Sequence, residues 1–144
     1  MYDEITKISD SQDIIIKAAA VADYTPAKYS DEKIKKKDTD LSIELSRTKD
    51  ILKELGKRRA DNPKKQFLCG FSMETENMEA NSKKKLKSKN VDMIVANNVK
   101  VEGAGFGTDT NVVTIFTKDN EIRLDKLSKT EVAEKIFDEI VRNF

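Results

Sequence analysis

The sequence predicts an α/β domain in which a mainly parallel sheet packs against helices. Three observations predict this class. Short apolar, β-branched segments alternate with segments of helical pattern, no repeat or low-complexity linker interrupts them, and the last stretch has the apolar period of a helix. With 144 residues the chain is long enough to bury a core, and we expect a single domain over residues 1–144.

The first predicted strand, residues 13–17, is followed by a row of small residues and an aspartate. These are Ala18-Ala19-Ala20-Val21-Ala22-Asp23-Tyr24. In open α/β sheets, ligands bind beyond the carboxyl ends of the strands, so this segment predicts a nucleotide site in which the aspartate meets a base, a sugar or a hydrated cation. A buried strand that enters a polar turn explains the same residues, and the segment alone leaves both readings open.

A long polar segment, residues 26–40, comes next. It is too long and too rich in lysine for a tight turn, and this is typical of a flexible flap. Residues 41–46 alternate apolar and polar side chains, as a half-exposed strand does. If they pair with residues 33–37, the two segments form a protruding hairpin.

Helices and strands continue to alternate in the middle of the chain. Thr48 is positioned to cap a helix that ends at Gly56. A second helix carries many lysines, and a later loop has glycines that match neither the dinucleotide pattern nor the phosphate-loop pattern. The predicted elements are helices over residues 50–55 and 78–86, strands over residues 67–72 and 91–96, and a flexible loop over residues 103–107.

The last third predicts an antiparallel hairpin and a helix. Residues 112–116 and 121–124 are the two strands of the hairpin. Ser128 and Glu131 form a capping box at the start of the helix. Its apolar residues recur at helical spacing and are predicted to be core: Val132, Ala133, Ile136, Phe137, Ile140, Val141 and Phe144.

Charge and residue content limit the possible functions. The 27 Lys plus Arg and 26 Asp plus Glu nearly cancel, so no overall field favours nucleic acid or membrane. Without histidine, the chain offers no Ser-His-Asp triad and no histidine-ligated zinc site. The single cysteine, Cys69, lies in an apolar segment and is expected to be buried. With no signal peptide and no long apolar stretch, the sequence predicts a soluble cytoplasmic protein.

The order of several motifs resembles one enzyme family over nearly the whole chain. The motifs are AAAVADY, KIKK, DIL, GFSMET, a lysine-bearing helix, DMIVANN, a terminal hairpin and SKTEVAEKI. In this order they are similar to the carboxyl-terminal part of phosphopantothenoylcysteine synthetase, also called phosphopantothenate-cysteine ligase. The resemblance implies a Rossmann-like three-layer fold and a role in coenzyme A biosynthesis. The family's amino-terminal segment, with its glycine-rich turn and reactive asparagine, has no counterpart in these residues, so we expect an incomplete ligase domain.

The resemblance also implies an activity and its partners. The family activates the carboxylate of 4'-phosphopantothenate with a nucleoside triphosphate, typically CTP with Mg²⁺ in bacteria, and couples it to cysteine. Family members are homodimers, which a protruding ribbon over residues 33–46 would suit. The resemblance leaves the metal ligands unassigned.

Matching each motif to the family implies a catalytic lysine and a set of nucleotide contacts. Lys33 opens the KIKK segment, and its ammonium group is the candidate to neutralise charge on the triphosphate as pyrophosphate leaves. At Lys49 this chain replaces the proline that the family commonly has. Phe71 has a competing interpretation as core packing. The implied nucleotide-binding residues are Ala18, Ala19, Asp23, Lys33, Thr48, Lys49, Asp50, Ile51, Phe71, Lys85 and Lys89.

Two other functions fit parts of the sequence. The chain can be a nucleotide-binding fragment without turnover. Alternatively, the lysine clusters at residues 33–37 and 83–89 can bind nucleic acid, although no aromatic side chains are interleaved with them and the net charge is only +1.

Overall fold

The computed structural model of the chain describes residues 1–36, 38, 40–74, 76–98, 101 and 107–144. These residues form two compact units, one of Met1–Ala19 with Ile51–Phe144 and the other of Ala20–Asp50. None of the helices in the described ranges is long and apolar enough to cross a membrane. In chain order the elements are α1 (Tyr2–Ile8), β1 (Ile14–Lys17), β2 (Tyr24–Pro26), β3 (Leu45–Arg47), α2 (Ile51–Arg58), β4 (Phe67–Glu74), α3 (Met78–Ser88), β5 (Met93–Asn98), β6 (Thr110–Asn111), β7 (Val113–Thr117), β8 (Glu121–Arg123), β9 (Leu127–Ser128) and α4 (Lys129–Asn143).

The larger unit is built on a five-stranded mixed sheet in the order β1-β4-β5-β7-β8. Strands β1, β4 and β5 are parallel, and β7 and β8 add an antiparallel hairpin at one side. The predicted α/β fold with mainly parallel core strands and a terminal hairpin is therefore confirmed. Because three strands run in the same direction, their carboxyl ends share one edge of the sheet, where ligands bind in open α/β folds.

One face of the sheet packs against α4. Cys69, Val95 and Ile115 are fully buried in this core together with Ile136 and Ile140 of the helix. The capping box that starts α4 is confirmed, since the Glu131 N–H donates to Ser128 Oγ at 3.2 Å and the Ser128 N–H donates to Glu131 Oε2 at 2.8 Å. Cys69 has the predicted packing role, and burial raises the pKa of its thiol to about 12.

Two glycines let α2 pack closely on its neighbours. A Cβ at Gly70 would lie 2.3 Å from Leu52 Cδ2, so α2 rests directly on β4 at this point. A Cβ at Gly56 would lie 1.7 Å from the carbonyl oxygen of Lys89, and the Asn90 side chain donates to the Gly56 carbonyl at 2.7 Å. The prediction that Gly56 ends the helix is wrong. It lies inside α2 because only glycine fits against the end of α3.

Two expectations about the helices differ from the structure. The amino-terminal helix α1 was not predicted, because its short sequence has no strong apolar period. On α4 only three of the seven residues of the predicted stripe are core, namely Val132, Ile136 and Ile140. Phe137 is 53% exposed and Val141 77% exposed, because they lie beside the line of side chains that faces the sheet. Ala133 and Phe144 are exposed as well.

The smaller unit contains a short antiparallel ladder in which β2 pairs with β3. Tyr24 lies opposite Arg47 and Pro26 opposite Leu45. The prediction that residues 41–46 pair with residues 33–37 is wrong for the described part of that segment, and Lys37 lies outside it. Leu41 and Ile43 are 66% and 57% exposed, so their alternation has no buried face to specify a strand. Most of the predicted loop at residues 103–107 also lies outside the described residues.

Candidate functional site

The carboxyl-terminal edge of the parallel strands holds three of the predicted site residues in the larger unit. Lys17, the last residue of β1, pairs with Gly70 of β4. The register therefore carries the chain toward Ala18 and Ala19 at the level where β4 continues into Phe71. The Lys17 ammonium donates to the Ala19 carbonyl at 3.3 Å, which ties the exposed alanines back to the strand.

The two alanines line a cavity of about 290 Å³. Its walls come from α1, β1 and α2, and they are mainly apolar, with Ile5, Ile16 and Leu55 among the lining residues. The side chains of Ala18 and Ala19 are only methyl groups, so a ligand can approach their backbone closely. The structure thus provides a concave, apolar surface beside the predicted nucleotide-contacting residues.

Phe71 lies at this edge and also packs against the core. Its half-buried ring contacts the cluster that includes Cys69 and Val95. The packing interpretation of Phe71 is therefore confirmed. A nucleotide contact at its exposed part stays a prediction.

Sequence reasoning gave little weight to two polar atoms near the same edge. Ser72 Oγ and Asn97 Oδ1 are buried, and neither has a hydrogen-bond partner among the residues that the structure describes. Ser72 lies opposite Ala96, and Asn97 lies opposite Met73, so both lie near the carboxyl ends of parallel strands. A buried polar atom without a partner costs about 1–3 kcal/mol, which a bound water or ligand can remove. A polar residue that ends an apolar strand was the available sequence signal.

The lysine pair of α3 lies toward the other edge of the sheet. Lys85 is in the last turn of the helix and Lys89 is its C-cap. From there the chain reaches Asp92, whose N–H donates to the carbonyl of Leu68 near the start of β4, at 3.0 Å. The structure therefore does not bring Lys85 and Lys89 together with Ala18, Ala19 and Phe71. Both lysines are half-buried and both take part in polar interactions within the structure.

In the smaller unit the structure brings Asp23 and Thr48 together. The Thr48 N–H donates to the Asp23 carbonyl at 2.9 Å, and the Thr48 hydroxyl donates to the Ala22 carbonyl at 2.6 Å. The predicted N-cap at Thr48 is wrong, because α2 begins at Ile51 and the hydroxyl is used to hold the end of β3 against the Asp23 segment. The Asp23 side chain remains exposed.

The other predicted residues of this unit are exposed. Lys33 lies in the segment between β2 and β3, which has neither helix nor strand in its described residues. Lys49 and Asp50 are also exposed, and both have polar partners. Ile51, the first residue of α2 in the larger unit, is 3% exposed, so any contact that it makes with a ligand uses its backbone. Arg47 lies over the Tyr24 ring, and their hydrogen bond raises the pKa of the guanidinium group.

The described residues contain no group of three His, Cys, Asp or Glu side chains that could hold a metal ion. Thus the described side chains do not form a resident Mg²⁺ site of the usual carboxylate type.

Comparisons with known proteins agree with the motif order. The model of the DNA/pantothenate metabolism flavoprotein C-terminal domain family matches residues 1–144. The chain is 50% identical over 141 residues to the coenzyme A biosynthesis bifunctional protein CoaBC of Bacillus subtilis, covering 97% of this chain and 34% of the relative. It is 48% identical over 130 residues to a cysteine/cysteine sulfinic acid decarboxylase of an unknown prokaryotic organism, covering 90% of this chain and 35% of that protein.

A solved structure confirms the fold. The crystal structure of the C-terminal domain of a CoaBC protein matches with a TM-score of 0.75 at 42% identity, covering 98% of this chain and 61% of that one. The chain thus spans about a third of the length of the two curated relatives and about three fifths of the solved domain. Sequence and fold lead to the same conclusion: this chain belongs to the family of the DNA/pantothenate metabolism flavoprotein C-terminal domain.

Proposed function

We propose that the chain provides the nucleotide-binding part of a phosphopantothenate-cysteine ligase in coenzyme A biosynthesis. The observation that carries this proposal is the 50% identity to the Bacillus subtilis bifunctional protein over 97% of the chain. Another relative is named as a decarboxylase, but the crystal structure of a CoaBC C-terminal domain, 42% identical over 98% of this chain, favours the ligase assignment. CTP is the proposed nucleotide, and Mg²⁺ enters with it.

The proposed reaction has two steps. In the first, the carboxylate of 4'-phosphopantothenate attacks the α-phosphorus of CTP, and pyrophosphate leaves to give an acyl-cytidylate. In the second, the amine of cysteine attacks the acyl carbon, CMP leaves, and an amide forms. No covalent bond to the enzyme is needed. Cys69 is unsuited to such a bond, because its thiol is fully buried and its pKa is raised to about 12.

Exposed charges in the smaller unit suit the polar parts of this reaction. Lys33 presents an ammonium group that can stabilise the charge developing on the triphosphate. The Asp23 carboxylate can accept hydrogen bonds from a sugar hydroxyl or a base amine, and Thr48 fixes the backbone next to it. In the larger unit, Ala18 and Ala19 allow close approach to the backbone. We propose that the protein is a homodimer and that it acts in the cytoplasm.

The first experiment separates binding from turnover in this chain by itself. Thermal unfolding is followed with CTP and Mg²⁺, and pyrophosphate release is measured after 4'-phosphopantothenate is added. At a free nucleotide concentration 100 times Kd, binding stabilises the folded state by about 2.7 kcal/mol. Stabilisation without pyrophosphate release would support the alternative of a nucleotide-binding fragment. If CTP caused no stabilisation and no pyrophosphate were released, the proposal would be contradicted.

The second experiment tests Lys33 against a neighbouring lysine. In an assembly that releases pyrophosphate, Lys33→Ala is expected to slow acyl-cytidylate formation at least about 100-fold with a much smaller loss of CTP affinity, because the charge acts mainly in the transition state. Lys36→Ala is the matched control, since it removes the same charge from the same exposed segment. Equal rates in the two variants would show that Lys33 is only a surface charge.

A further inference from the structure

A second cavity lies at the amino-terminal edge of the parallel strands, away from Ala18, Ala19 and Phe71. Its volume is about 690 Å³. The lining includes Phe67, which begins β4, Asp92, which precedes β5, and Thr117, which ends the antiparallel strand β7. Because β7 runs opposite to β5, with Thr117 paired to Met93, all three positions belong to the same edge. Neither the proposed reaction nor the implied nucleotide-binding residues use this cavity.

The wall of this cavity combines an apolar floor with polar groups. Phe67, Leu86 and Val91 are each less than 10% exposed and form the apolar part. The amide side chains of Asn90 and Asn143 also line it. The Asn90 amide group already donates to Gly56, which fixes the side chain and its left-handed backbone in place. A ligand with both a polar and an apolar part fits such a lining.

Four cations and two carboxylates line the cavity, but only part of this charge is available to a ligand. Arg59 forms a two-pronged salt bridge to Asp92, and Lys83 pairs with Glu79. By contrast, Lys87 and Lys118 have no ion-pair partner among the residues that the structure describes. Asp119, beside Lys118 on the β7–β8 turn, offsets one of these two charges. The uncommitted charge of the cavity is therefore positive.

The end of α3 does not cancel this positive charge with free carbonyl groups. The carbonyls of Lys85, Leu86 and Lys87 already accept hydrogen bonds from the N–H groups of the three residues that follow the helix. Bonded carbonyls repel an anion less than the free carbonyls of an uncapped helix end. An anion at the rim is therefore opposed mainly by Asp119.

We propose that this cavity binds a small phosphate monoester or carboxylate that carries an apolar group. Lys87 and Lys118 pair with the anion, and Phe67, Leu86 and Val91 cover the apolar group. The site lies at the opposite edge of the sheet from Ala18 and Ala19, so it is a second ligand site that does not rest on the proposed ligase function. Occupancy there would link the ends of β5, β7 and α3.

Phenyl phosphate is the probe, and amide chemical shifts of the full chain report its position. We expect saturable shifts at Asn90, Val91 and Thr117. The double variant Lys87→Ala/Lys118→Ala is expected to bind phenyl phosphate at least about tenfold more weakly, since two charge pairs are removed. Lys84→Ala, an exposed lysine of the same helix that does not line the cavity, is expected to bind normally.

Three results would overturn this proposal. The first is that the chemical shifts do not saturate or change only at Ala18 and Ala19. The second is that Lys84→Ala weakens the binding of phenyl phosphate as much as the double variant does. The third is that inorganic phosphate binds as tightly as phenyl phosphate. The last would show that the apolar floor contributes nothing. CTP binding in the double variant serves as a separate readout and is expected to be unchanged, so failure here is distinguishable from failure of the ligase proposal.

Discussion

Gly56→Ala tests how the helices of the larger unit pack. An alanine inside a helix is normally about 1 kcal/mol more favourable than glycine. At this position, however, the new methyl carbon would lie 1.7 Å from the Lys89 carbonyl oxygen, and this backbone atom cannot move without shifting the end of α3. Overpacking costs about 1–3 kcal/mol, and losing the bond from Asn90 to the Gly56 carbonyl costs about 1 kcal/mol. The expected net loss is about 1–3 kcal/mol.

Urea unfolding of matched glycine variants measures this effect. Gly70→Ala should lose less, about 1 kcal/mol, because its new methyl group meets the movable end of the Leu52 side chain. Gly107→Ala has open space around it but a φ of 74°, so its loss should also be about 1 kcal/mol and come from backbone strain alone. If Gly56→Ala were neutral or stabilising, the close contact between α2 and α3 would be refuted.

Three further predictions concern single side chains. Ile136→Ala should lose about 2–4 kcal/mol in urea unfolding but Phe137→Ala less than about 1 kcal/mol, and similar losses would mean that both pack in a core. Ser72→Ala should be neutral or stabilising by up to about 1 kcal/mol in thermal unfolding, because it removes a buried hydroxyl that has no partner in the described part of the chain; a clear loss would reveal a hidden bond. Cys69 should resist thiol reagents until the chain unfolds. Because the unfolded thiol loses its proton near pH 9 and the folded one near pH 12, its contribution to stability should be complete below pH 9 and fall as the pH rises toward 12, as pH-dependent unfolding can check.

The sequence predicted elements whose signals are local. The capping box of Ser128 and Glu131 and the apolar segments around Cys69 and Val95 specified α4, β4 and β5 without help from distant residues. It could not predict features that depend on contacts far along the chain. The role of Gly56 is set by Lys89, 33 positions later, and no local rule distinguishes a glycine that ends a helix from one that admits a neighbour.

The same limit applies to the candidate site. Small residues after β1 correctly indicated the strand edge, and Ala18 and Ala19 line a cavity there. The spacing of Lys85 and Lys89 showed only that they share a helix face. Which end of the sheet that face adjoins depends on the direction of α3 between β4 and β5, and this direction places them toward the amino-terminal edge.

Mapping CTP with Mg²⁺ by amide chemical shifts tests the central claim most directly, since it asks where a triphosphate binds on this chain. The account predicts saturable shifts at Ala18, Ala19 and Phe71 of the larger unit and at Asp23 of the smaller unit. Shifts confined to the cavity lined by Lys87 and Lys118, or no saturable shifts at all, would contradict it.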